Sequence, residues 1–97
     1  MKKYKIFAGL GGSFGGAEEI CVDFFPDEKH ALCYAYDCAV EAYQSYEGYY
    51  GLATYQDVYD SPEEYGLDEG CYDETLIEEA YTEQIADWIE YYVEEVE

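Results

Sequence analysis

The side chains that could do chemistry in this chain are carboxylates, tyrosines and four thiols, and their spacing decides which chemistry. Glu79, Glu83, Asp87, Glu90 and Glu94 step by 4, 4, 3 and 4, the interval that keeps side chains on one face of a helix. At about 1.5 Å rise per residue the five span about 22 Å, or one charge per roughly 4.5 to 5.5 Å. A single DNA strand presents one phosphate per about 3.4 Å of axis, so the stripe approaches a nucleic-acid strand in linear charge density. Glu74, Glu78 and Glu95 thicken it. Each like-charge pair at i, i+4 destabilises the helix by about 0.2–0.5 kcal/mol, and no Lys relieves it. Solvated faces ordinarily mix both signs, so a face of one sign points to a basic partner. The middle segment adds Asp57, Asp60, Glu63, Glu64, Asp68, Glu69 and Asp73. Tyr49 and Tyr50 stand beside them as aromatic anchors, since Tyr binds at low entropy cost while carboxylates steer the encounter.

Other chemistries fail on spacing. The run Gly9 to Gly16 lacks the Gly-Lys-Ser/Thr ending of a phosphate loop. It also has Phe14 where a dinucleotide fingerprint needs its third Gly, so a hairpin loop or a close backbone approach is the simpler role. His30 and Cys33 share a helical face, but Cys38 lies off it and no Cys-x-x-Cys pair exists; the thiols read as packed side chains. Calcium-loop spacing is missing from both the Asp57–Asp68 and Asp68–Glu79 regions. One His and three scattered Ser make no triad, and with 24 acids a carboxylate pair carries no information. No catalytic residue, metal ligand or cofactor is assigned, and the chain is expected not to be an enzyme.

Composition narrows the partners. Ninety-seven residues carry 24 Asp and Glu against four Lys and no Arg, a formal charge of -20 with a pI near 4.1. Phosphate would repel such a chain, which excludes direct binding to nucleic acid or an anionic membrane. No run approaches the roughly 18 apolar residues of a bilayer-crossing helix. With 49% apolar or aromatic residues, 14 of them Tyr, the chain is expected to fold despite its charge. Lys2 and Lys3 precede a Gly-rich stretch rather than a solid apolar block, so a reducing cytoplasm with free thiols is expected.

The elements that must position these residues follow from periodicity. Lys3 to Gly9 and Glu18 to Phe25 are strand candidates flanking the Gly-rich turn. Ala31, Leu32, Ala35, Ala39, Ala42, Tyr43 and Tyr46 follow one helical face, with Asp27 as cap and Gly48 as stop. Ser61-Pro62-Glu63-Glu64 has the form of a capping box with Pro at the first helical position. A stripe from Leu76 through Ile77, Ala80, Ile85 and Trp88 to Val93 predicts a carboxy-terminal helix capped by Asp73. Tyr91 to Val96 is also rich in β-formers, which leaves open a short third strand pairing with the first. The expectation is one α+β domain over 1–97, an antiparallel hairpin packed with two main helices.

The opening Lys5 to Ala17 and the later Tyr46-Glu47-Gly48-Tyr49-Tyr50-Gly51 resemble small phage and mobile-element proteins. In charge and size the chain looks like the DNA-mimic group, which includes anti-CRISPR and antirestriction proteins. The order strand, Gly-containing loop, strand, acidic-capped helix and Tyr-Glu-Gly-aromatic is also similar to the first domain of ArdA-type antirestriction proteins. That resemblance implies an inhibitor that occupies the DNA-binding cleft of a bacterial enzyme, first among them a CRISPR effector complex. Another basic DNA-binding protein of the host, such as a restriction complex, is the alternative target. Reversing Glu83, Asp87 and Glu90 to Lys is expected to abolish inhibition. A halophile-type domain, acidic for solvation alone, is the reading from a different class.

Overall fold

β1 (Lys2–Leu10) alternates: Tyr4, Ile6, Ala8 and Leu10 are buried, while Lys3, Lys5, Phe7 and Gly9 take the other face. The computed structural model describes residues 1–49 and 51–97. With β2 (Gly16–Phe25) and β3 (Ile89–Val96), β1 forms an antiparallel sheet of order β2-β1-β3. The β1–β2 pairing steps from Ile6 opposite Cys21 to Phe7 opposite Glu19, which makes Ile20 the extra residue of a bulge. At the hairpin end the two strands come very close. A Cβ on Gly9 would lie 2.7 Å from the Gly16 carbonyl oxygen, so only glycine fits there.

α1 (Glu28–Tyr46) begins where Asp27 accepts the His30 backbone N–H at 2.9 Å, the capping expected of it. Ala31, Ala35, Ala39 and Tyr43 recur every fourth residue and are wholly buried. Ala31 and Ala35 pack on Tyr4 and Ile6, with Cys21, Phe25 and Val93 closing the cluster. A stripe of alanines lets the helix lie close to the sheet, and burying Ile6 contributes about 1.5–3 kcal/mol. Gly48, with φ of 85°, follows the helix and donates its N–H to the Leu52 carbonyl at 2.8 Å.

The chain divides into two compact units, one of residues 1–45 with 88–97 and the other of residues 46–87. The second is helical: α2 (Tyr55–Asp60), a 3-10 turn (Pro62–Tyr65) and α3 (Glu74–Trp88), whose final residue belongs to the first unit. Its core is Val58, Ile77 and Ala80, with Tyr65, Leu67 and Tyr81 packed against it. Asp73 caps α3, accepting the Thr75 N–H at 3.0 Å. The architecture is a small α+β fold, an antiparallel three-stranded sheet packed with helices. No helix among the described residues is long and apolar enough to cross a membrane.

Of the two readings left open for the end of the chain the third strand is the one found, and one local expectation, the cap at Ser61, is corrected. The carboxy-terminal helix stops at Trp88, and the residues beyond it form β3, running from Leu10 opposite Ile89 to Lys3 opposite Val96. The free edge of β1 takes up their backbone hydrogen bonds, and Val93 reaches the core from a strand. At Ser61 no side-chain cap forms; Pro62 opens a 3-10 turn whose Glu64 N–H is held by the Ser61 carbonyl. The capping box lies instead at Thr54 and Asp57, each side chain accepting the other's backbone N–H, at 3.1 and 3.0 Å.

Candidate acidic binding surface

Because α3 ends at Trp88, the five-carboxylate stripe is not one helical face. Glu79, Glu83 and Asp87 stand exposed on α3 together with Glu74 and Glu78, whereas Glu90 and Glu94 belong to β3 in the other unit. Of the two strand residues, Glu90 has a partner inside the fold. The Glu90 carboxylate reaches across β1 at Gly9, where no side chain obstructs it, and accepts the Ala17 N–H at 3.2 Å. It fills space that a Cβ on Gly11 or Gly16 would need, at 2.9 and 2.6 Å. Glu94 stands directly opposite Lys5. Glu90 and Glu94 are thus exposed acids of the strand rather than part of a helical stripe.

What remains is concentrated in one unit. Residues 46–87 hold thirteen acids and no Lys or Arg, and every acid except half-buried Glu47 is exposed. Glu47 is held internally, accepting a hydrogen bond from the Tyr81 hydroxyl. Three carboxylates, Glu78, Glu79 and Glu83, line an open depression of about 400 Å³ with Thr75 and Thr82. The helix repeat brings them together, with Asp87 one turn beyond Glu83.

The other predicted residues have mixed roles. Asp57 and Asp73 are caps, so their oxygens serve the backbone as well as the surface. Asp60 accepts from Gln56 Nε2 at 2.8 Å. Glu63 and Glu64 follow Pro62 in the 3-10 turn, where acids suit the exposed N–H groups, and Asp68 and Glu69 stand exposed in the turns before α3. Tyr49 is 68% exposed, as an interface anchor requires, whereas Tyr50 lies outside the described residues. Tyr72, absent from the predicted anchors, is 70% exposed and its ring lies 6.0 Å from that of Tyr59. Its place between Cys71 and the capping Asp73, just before a helix start, was the available signal.

Elsewhere the titratable groups have structural surroundings. His30 Nδ1 lies 2.8 Å from Asp27 Oδ1, and hydrogen bonds from the His30 ring and backbone hold the Asp27 carboxyl below its ordinary value. Burial pushes the Cys38 thiol up, and the nearby Cys38 and Cys21 thiols raise the Tyr34 hydroxyl. All four cysteines are free, and among the described residues no group of three or more His, Cys, Asp or Glu is placed to hold a metal ion. Neither a family model, nor a curated protein, nor a solved structure matches the chain.

Proposed function

We propose that this chain is a non-enzymatic DNA-mimic inhibitor of phage or mobile-element type, acting in the bacterial cytoplasm. Its carboxylates stand in for phosphates in the PAM- or duplex-binding groove of a defence nuclease, first of all a CRISPR effector. The observation that carries this reading is the run of exposed acids over 46–87 with no basic residue among them. Glu74, Glu78, Glu79, Glu83 and Asp87 lie along about 20 Å of helix axis, one charge per roughly 4–5 Å. That density attracts a groove built to neutralise a nucleic-acid strand, and Tyr49 and Tyr72, exposed in the same unit, supply apolar contact.

The test is retention of a bacterial nucleic-acid enzyme on the tagged protein, with washes of rising salt and with competing duplex DNA. One enzyme is expected to be held at low salt, released as salt rises and displaced by the duplex. Reversing Glu78, Glu79 and Glu83 together to Lys is expected to lower affinity at least a hundredfold while the fold persists. Equal retention by that variant removes α3 as the mimic surface. Failure to hold any basic enzyme at low salt leaves the acids as a solvated coat.

A further inference from the structure

Two of the four thiols meet on one flank of α1, within the unit of residues 1–45 and 88–97. β2 passes into α1 through Pro26 and Asp27 alone, so the helix turns back over the sheet it has just left. Aromatic contacts mark its two flanks. On the β3 side Tyr36 meets Tyr91 with ring centroids 5.5 Å apart, and on the β2 side Tyr34 meets Phe25 at the same separation. Cys38 follows Tyr34 by four residues, one turn further along the β2 flank. Cys21 is the β2 residue, opposite Ile6, that packs against the buried Ala31 and Ala35 of α1.

Strand and helix thus carry both thiols to the Tyr34 hydroxyl. Charge on Cys38 and Cys21 comes first among the causes that raise that hydroxyl, and hydrogen bonds with each thiol add to it. Both cysteines are half-buried, and neither has a part in the acidic surface. The remaining two are placed elsewhere. Cys33 is exposed, one residue before Tyr34 and therefore about 100° round the helix from it, and Cys71 belongs to the unit of residues 46–87.

We propose that Cys21 and Cys38 are a redox-responsive pair that closes to a disulfide, tying β2 to α1, when the chain meets a small-molecule disulfide. One protein thiolate attacks a sulfur of the small disulfide, whose S–S bond breaks and releases a thiolate. The second protein thiolate then attacks the protein sulfur of that mixed disulfide and expels the other small thiolate. Two protein thiols are oxidised, one small disulfide is reduced to two thiols, and the two protons pass to the released thiolates. Tyr34 is 42% exposed, so its side chain can swing toward solvent as sulfur meets sulfur. In a reducing compartment such a bond is ordinarily transient and redox-sensing, in keeping with the free thiols of the structure. The inference is independent of the acidic unit, because all the residues it uses lie outside residues 46–87.

The experiment treats the purified, reduced chain with glutathione disulfide, blocks the remaining thiols and maps linked peptides by mass spectrometry. The protein is expected to lose the mass of two hydrogens and to carry the Cys21–Cys38 link at least tenfold over any other pairing. Its circular dichroism is expected to match that of the reduced chain, and dithiothreitol to restore both thiols. Cys21→Ser and Cys38→Ser are each expected to leave a mixed disulfide with glutathione at the remaining cysteine. Cys33→Ser combined with Cys71→Ser is expected to leave the link unchanged. Mixed disulfides alone in the parent chain overturn the proposal, as does pairing of Cys33 or Cys71 to an equal extent. A link that forms only with loss of the native spectrum overturns it too.

Discussion

Glu90 shows how a carboxylate that looks like surface charge can be spent inside the fold. Its side chain crosses β1 and accepts the Ala17 N–H, a route that exists because position 9 has no side chain. The same glycine admits the close approach of β2, whose Gly16 oxygen would stand 2.7 Å from an added Cβ. Ordinarily Ala suits a strand better than Gly. Here Gly9→Ala is expected to destabilise the protein by about 1–3 kcal/mol, because backbone rather than a flexible side chain must give way. Urea denaturation of that variant measures the loss, and unchanged stability would show that the hairpin can open at no cost.

Among the elements, the short helix α2 carries the most local information. Its capping box joins Thr54 and Asp57, whereas Ser61 contributes only its backbone to the following turn. Thr54→Ala is expected to cost about 1 kcal/mol of stability and Ser61→Ala a few tenths at most. A thermal melt of the two variants side by side is the measurement, and equal losses would refute the assignment of the cap. Thr54 with Asp57 and Ser61 with Glu64 both have capping-box spacing in the sequence, and Pro at the first helical position favours the second by pattern alone. The difference lies in backbone geometry: Ser61 closes α2, donating its N–H to the Asp57 carbonyl, and sits at φ -135° and ψ 58°, outside the extended pose in which Thr54 bonds the helix start. The hairpin, α1 and its Asp27 cap were legible because their signals are local. The split of the acidic stripe was not, since a run with both helical spacing and β-forming residues is settled by the strand it meets.

For the whole molecule the governing quantity is self-repulsion, with thirteen acids on 42 residues and no base among them. Salt shortens the reach of that repulsion from about 30 Å at 0.01 M to about 8 Å at 0.15 M. Over that interval stability is expected to rise by roughly 1 kcal/mol, or about 4–8 °C in Tm for a chain of this size. Differential scanning calorimetry reads the shift. The apolar cores beneath both units predict a folded state already present at low salt. A chain that folds only in molar salt would instead be a halophile-type domain, and the inhibitory proposal would lose its footing.

Composition and short-range pattern determined the α+β class, the hairpin, the alanine face of α1 and the excess of acid after position 29, because each depends on neighbours a few residues apart. Tertiary structure decided the fate of the last nine residues, the partner of Glu90 and the place of Glu94 opposite Lys5. Those outcomes join β1 to residues about eighty positions away along the chain. The free edge of β1 presents unpaired N–H and C=O groups that must be satisfied, and a β-forming segment at the far end of the chain satisfies them.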